Sequence, residues 1–117
     1  MSINHTSIWR IALPTPLARY FDYLPCAYEF ETLHPGVRVK VPFGARKLIG
    51  VLLEVDNHTE IELAKLKPAL AVIDSYPLLD AKMLQFCQWI SDYYHHPIGE
   101  VIQTAIPKYL VAGSGLI

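Results

Sequence analysis

Cysteine is scarce. The 117-residue chain holds two, Cys26 and Cys87, with no C-x-x-C pair and nothing near the density of a disulfide scaffold. Both are expected to be small buried or half-buried side chains in a reducing compartment. Long apolar runs are missing as well. The greasiest window, Leu48 to Leu53, is far too short to cross a bilayer, and the N-terminus lacks the basic flank and apolar stretch of a signal peptide, so a cytoplasmic protein with no membrane partner is expected. Charge of one sign is not in excess: 10 basic and 11 acidic residues leave a net charge of -1, so any affinity for nucleic acid has to come from local clustering. There is no G-x-x-x-x-G-K-[ST] loop, no G-x-G-x-x-G fingerprint and no H-E-x-x-H, which argues against ATP hydrolysis, dinucleotide binding or a zinc centre in this chain. His95 and His96 are adjacent, and neighbours on a helix diverge by about 100°, so the pair is expected to end a helix rather than hold a metal.

What remains is ample for one domain. Hydrophobic residues make up 52% and charged ones 18%, enough to build a core at this length. The two halves differ in periodicity. In Val37–Phe43 apolar residues alternate with Arg38 and Lys40, the pattern of a half-buried strand. Gly44-Ala45-Arg46 separates it from the β-branched run Lys47–Val55, which suggests a hairpin with a three-residue connection. Further strands are expected over Trp9–Leu13, Phe21–Leu24 and Leu70–Ile73. The second half turns helical: Leu79, Met83, Phe86 with Cys87, Ile90 and Tyr94 recur three to four apart behind a candidate N-cap, Asp80. This helix should stop near His96, before Pro97, and Pro97 can open a second one with Val101, Ile102 and Ala105 inward until Pro107. The expected class is α+β, a small β-rich barrel or sheet of about five strands (7–75) followed by two helices (78–107). Residues 1–110 form one domain in this reading, and Val111 to Gly115 begin a linker-like tail, 111–117.

Two features carry possible chemistry. Arg38, Lys40, Arg46 and Lys47 fall in the hairpin with no acid between Glu31 and Glu54, and Lys65 and Lys67 follow. Such a stripe could contact a few phosphates of a single strand, with a salt slope of about -0.7 per contact; equally, it could be the solvated outer face of a sheet. The second feature is Phe21-Asp22-Tyr23. If extended, it sends both rings to one face and the carboxylate to the other. Asp22 then either accepts backbone N–H groups at a turn or sheet edge, or accepts a ligand hydroxyl while the aromatic neighbours offer stacking faces.

Three segments, taken together, carry a resemblance: Leu13-Pro14-Thr15-Pro16-Leu17 with Phe21-Asp22-Tyr23, then Gly36 to Gly44 ending in V-P-F-G, then Asp92 to Glu100 with Y-Y-H-H-P-I-G. In this order over about residues 8–110 the chain resembles the N-terminal 3′ DNA-binding domain of the bacterial primosomal replication-restart helicases. The resemblance implies a non-catalytic module that captures the 3′-OH end of a nascent leading strand at a stalled fork. It implies a pocket of Phe21, Asp22, Tyr23, Gly44 and Lys67, with Arg38, Lys40, Arg46 and Lys47 as possible phosphate contacts. It also implies that ATP and zinc belong to a helicase remainder absent from this chain, and that this remainder and other primosome proteins are partners. The competing expectation is a protein-docking module, in which the sheet face and Trp89 meet those proteins and the basic stripe is incidental.

Overall fold

The computed structural model describes residues 7–17, 19–28 and 33–106, so the expected tail and Pro107 lie outside the described residues. Five strands, β1 (Ile8–Ala12), β2 (Phe21–Tyr23), β3 (Arg38–Phe43), β4 (Arg46–Asp56) and β5 (Ala71–Val72), precede two helices, α1 (Ala81–Tyr94) and α2 (Ile98–Ala105). The strands form one antiparallel sheet in the order β2-β1-β4-β3-β5. One stretch of chain, which includes β5, links β3 to the far edge strand β2. Leu24, just past β2, accepts from Ala69 N and donates to Lys67 O (both 2.9 Å), while Leu70 N and Ile73 N donate to the Lys40 and Arg38 carbonyls of β3 (2.7 and 2.9 Å). The sheet is thereby curled towards a barrel. The fold is the expected α+β arrangement.

Apolar residues fill both faces. Trp9, Ile11, Leu13, Tyr23, Val37, Val39, Val41 and Leu52 pack inside the curl. On the other face Ala12 and Val51 meet Leu84 and Cys87 of α1 and Ile98 and Ile102 of α2. A strand sandwiched this way shows no alternation of buried and exposed, and all five residues of β1 are buried. Close approach is obtained with glycine at one decisive place: a Cβ on Gly99 would sit 1.5 Å from the Leu13 carbonyl oxygen, so α2 rests directly on the chain leaving β1.

Three local expectations are corrected. The β3–β4 turn has two residues, not three, because Arg46 pairs with Phe43. Gly44 takes the first turn position at φ +61, as a II′-type hairpin requires. Arg38, expected on the solvent face, is 4% exposed. The alternation is correct, but the chain after β5 covers that face: Asp74 accepts from Arg38 N (2.9 Å), Nε (3.0 Å) and Nη2 (2.9 Å). On α1 the buried stripe is Leu84, Cys87 and Ser91, whereas Met83, Phe86 and Tyr94 are 40%, 54% and 58% exposed. This helix carries more large apolar residues than its contact can bury, so apolar spacing alone selects the wrong subset. Its ends follow the expected chemistry. Met83 N donates to the Asp80 side chain (2.8 Å), and the chain turns left-handed at His95 (φ 57), one residue before the predicted stop, while Ser91 Oγ donates to the His96 carbonyl (2.6 Å).

Candidate nucleic-acid interface

A cleft of about 530 Å³ opens where β2, the tip of the β3–β4 hairpin and the chain following β4 converge. Phe21, Asp22, Tyr23, Gly44 and Lys67 all line it. Three backbone devices place them. Tyr23 runs under the hairpin and its hydroxyl donates to the Pro42 carbonyl (2.7 Å), which pins the turn bearing Gly44 against β2. Burial pushes the Tyr23 phenol up from its usual range, so it stays a donor. The Leu24 bonds to Lys67 O and Ala69 N set Lys67 beside the same strand. Phe21 meets Phe43 edge-on (centroids 5.3 Å apart, 85°) and lies under the Arg19 guanidinium at 5.1 Å. At Gly44 a Cβ would meet nothing within 4 Å, so the turn backbone is open to a ligand there.

Asp22 faces this cleft with a largely covered side chain, 8% exposed. Neither of the partners found on it is a backbone group. Arg10 Nε donates to Oδ1 (3.1 Å) and Thr59 Oγ1 to Oδ2 (2.6 Å). Arg10, on β1, stands directly across from Asp22 on β2 and across from Glu54 on β4, so a carboxylate, a guanidinium and a carboxylate form a row across the sheet. A bulge makes this possible. Between Arg10 and Ile11 the register shifts, from Arg10 opposite Glu54 to Ile11 opposite Leu52, which leaves Leu53 as the extra residue. Since side chains alternate with period two, this single insertion turns Glu54 and Asp56 to the face that Arg10 occupies. Arg10 Nη1 then donates to Glu54 (2.7 Å) and Asp56 (3.0 Å), and Nη2 to the His58 carbonyl (2.8 Å). Burial alone would disfavour the charge on Arg10, but the bonds to Glu54, Asp22 and Asp56 outweigh it and hold its pKa above the ordinary value. The backbone N–H of Asn57 and then Arg10 hold the Asp56 carboxyl below the usual range.

Arg10 and Thr59 escaped the sequence reading. The only signal was a single charge inside the apolar run Ile8-Trp9-Arg10-Ile11-Ala12, a warning that a buried partner must exist somewhere. Of the four hairpin cations, Lys40, Arg46 and Lys47 are exposed but stand outside the cleft lining, and Arg38 is engaged by Asp74. The cations that do line it are Arg10, Arg19, Lys65 and Lys67. Elsewhere, Trp89 is 53% exposed and stacks between Phe86 (6.3 Å, 14°) and Tyr93 (5.1 Å, 11°) on the side of α1 away from the core. Among the described residues no group of three or more His, Cys, Asp or Glu is placed to hold a metal, and no helix is long and apolar enough to cross a membrane.

Comparison with known proteins bears on this cleft. The family model for the PriA 3′ DNA-binding domain (3′BD) matches residues 10–107. The replication restart protein PriA of Haemophilus influenzae is 32% identical over 110 residues, 94% of this chain and 15% of that protein. PriA of Buchnera aphidicola from Acyrthosiphon pisum is 31% identical over 103 residues, 88% of this chain and 14% of that protein. PriA of Treponema pallidum is 28% identical over 102 residues, 84% and 16%. The chain thus spans about one seventh of the length of these relatives, and the part that it matches is the DNA-binding domain alone. That match runs from Arg10 in β1 past the end of α2, through every strand and turn that builds the cleft, and the chain belongs to the PriA 3′ DNA-binding domain family.

Proposed function

We propose that the domain binds DNA through this cleft and captures the free 3′-OH end of a strand, directing a replication-restart helicase to a stalled fork. The observation that carries the reading is the convergence of Phe21, Asp22, Tyr23, Gly44 and Lys67, drawn from three separate segments, on one opening. The chemistry follows from the carboxylate. A terminal hydroxyl donates a hydrogen bond to Asp22, whereas an interior nucleotide would bring its 3′ phosphodiester against the same negative charge. A hydrogen bond to a charged group contributes about 1.5 to 3 kcal/mol, and the repulsion acts against the wrong partner, so ends are selected over interiors. The open backbone at Gly44 admits the sugar, the Phe21 ring offers a base-tolerant stacking surface, and Lys67 meets the preceding phosphate without reading sequence. The helicase remainder and other primosome proteins are the partners in this reading, and ATP and zinc act in that remainder.

Fluorescence-anisotropy titration of one oligonucleotide, ending in 3′-OH or in 3′-phosphate, tests the reading. The 3′-OH strand is expected to bind at least about tenfold more tightly, the lower end of that hydrogen-bond range. Simple attraction to cations predicts the reverse order. Asp22→Asn should narrow the preference, and equal affinity of the parent domain for both ends would overturn end capture.

A second reading rests on the stacked Phe86, Trp89 and Tyr93 row of α1, which fits a protein-docking surface. It competes for another face of the domain and leaves the cleft unexplained.

A further inference from the structure

The cleft contains a carboxylate that is held in part from outside it. Thr59 is not among the lining residues, yet its hydroxyl reaches Asp22 Oδ2 at 2.6 Å, the shortest bond in the network. That hydroxyl is itself oriented, because the Ile61 backbone N–H donates to Thr59 Oγ1 (3.2 Å) and leaves the hydroxyl proton directed at Asp22. Arg10 takes the other oxygen from the opposite side. It also anchors the chain that carries Thr59, through Glu54, Asp56 and the His58 carbonyl.

A free aspartate carboxylate rotates broadly about χ2. With one bond on each oxygen, the plane of Asp22 is fixed, and the lone pairs left over face the cleft in a set direction. We propose that Thr59 is a positioning residue for the 3′-end site: it holds Asp22 from behind, and so sets the preference for a terminal hydroxyl without touching DNA. The inference rests on the end-capture reading and adds to it the residue that prepares the acceptor. Its physical basis is preorganisation: a rigid acceptor meets the incoming hydroxyl without first losing rotational freedom.

The test uses Thr59→Val, which keeps the shape and removes the hydroxyl, with Thr59→Ser as the conservative restoration. For each variant, affinities for the 3′-OH and 3′-phosphate forms of one strand are measured at one salt concentration, with a thermal melt to confirm folding. The 3′-OH over 3′-phosphate ratio is expected to fall about three- to tenfold in Thr59→Val, the size of one net hydrogen bond, and to return in Thr59→Ser. In an Asp22→Asn background, Thr59→Val should leave the ratio unchanged, because the residue acts through that carboxylate. A structural role alone would lower the melting temperature and weaken both strands equally, with the ratio intact. A parental ratio retained in Thr59→Val, or a full additional loss in the Asp22→Asn background, overturns the proposal. A parent domain with no 3′-OH preference would instead overturn end capture itself, so the two failures are distinguishable.

Discussion

Removing the Asp74 carboxylate should be among the most damaging single changes in this domain. Its two oxygens receive three donors from Arg38, and both side chains are deeply buried, 5% and 11% exposed. The guanidinium–carboxylate geometry is two-pronged, and the third bond satisfies a backbone N–H near the edge of β3. Breaking a buried pair from one side costs about 3 to 5 kcal/mol, because the remaining charge keeps its desolvation penalty and loses the paired attraction. A domain of this length has about 6 to 17 kcal/mol in total. Asp74→Ala should therefore lower the melting temperature by about 9 to 30 °C, at about 3 to 6 °C per kcal/mol. Asp74→Asn, which keeps one acceptor oxygen, should fall between parent and alanine. The informative double variant is Arg38→Met with Asp74→Leu, which should be more stable than Asp74→Ala alone, since apolar replacement removes both desolvation penalties. Urea denaturation with paired thermal melts measures all four proteins. A loss below about 1 kcal/mol for Asp74→Ala, the range of exposed pairs, would refute the reasoning, as would a double variant worse than either single one. The same series settles the DNA role expected of Arg38 from its place in the basic stripe. If Arg38 were a phosphate contact, the double variant would flatten the salt dependence of DNA binding by about 0.7 in log–log slope; no change is expected.

Lys67→Ala should weaken binding of all base sequences about equally and reduce that same slope by about 0.7, which titrations at several salt concentrations on two unrelated strands would check. Gly99→Ala gains about 1 kcal/mol of helix propensity but drives a methyl group into the Leu13 carbonyl, so a net loss of about 1 to 3 kcal/mol is expected in denaturant melts. Asp56, held below its ordinary value of 3.8 by the Asn57 N–H and Arg10, stabilises the fold above that value and loses its contribution as pH falls through the depressed pKa. Asp56→Asn should accordingly flatten the stability profile on the acid side and leave its shape near pH 7 unchanged. Burial raises both thiols, so alkylation in the native state should be slow, with buried Cys87 slower than half-buried Cys26 until the chain unfolds.

Local rules carry much of this fold. The valine alternation in β3, the glycine at the turn, Asp80 ahead of α1 and Pro97 between the helices each act within a few residues, and each strand and α-helix lies within two residues of its expected place, whereas the 3-10 turn at Leu63–Lys65 is not among the expected elements. Errors arise where the deciding partner is distant. Alternation assigns Arg38 to a face but does not say that Asp74, 36 residues later, will cover it. Nor does any local pattern say that Arg10 will meet Glu54 and Asp56, since that depends on the insertion of Leu53 in a strand more than 40 residues away. Apolar spacing on α1 fails for a different reason: Met83, Phe86 and Tyr94 mimic a core stripe while facing solvent. The cleft residues are legible through family resemblance rather than through physics. How Asp22 is held is not legible at all, because its partners are set by strand register in the case of Arg10 and by a segment 37 residues away in the case of Thr59.

The stretch Lys67–Ile73 has a further consequence, for aggregation. An uncovered strand edge is a template on which other chains can add. Here one short stretch occupies β2 through Leu24 and β3 through Arg38 and Lys40, and the strand within it need be only two residues long because it caps rather than spans. Proline at 68 suits this position, as it supplies a bridge without presenting an N–H to a passing chain. A change that loosened the stretch, such as proline in place of Ala69, whose N–H holds the Leu24 carbonyl, would expose two edges at once. The first sign of such damage would be self-association of a still largely folded domain, seen by light scattering before any loss of circular dichroism.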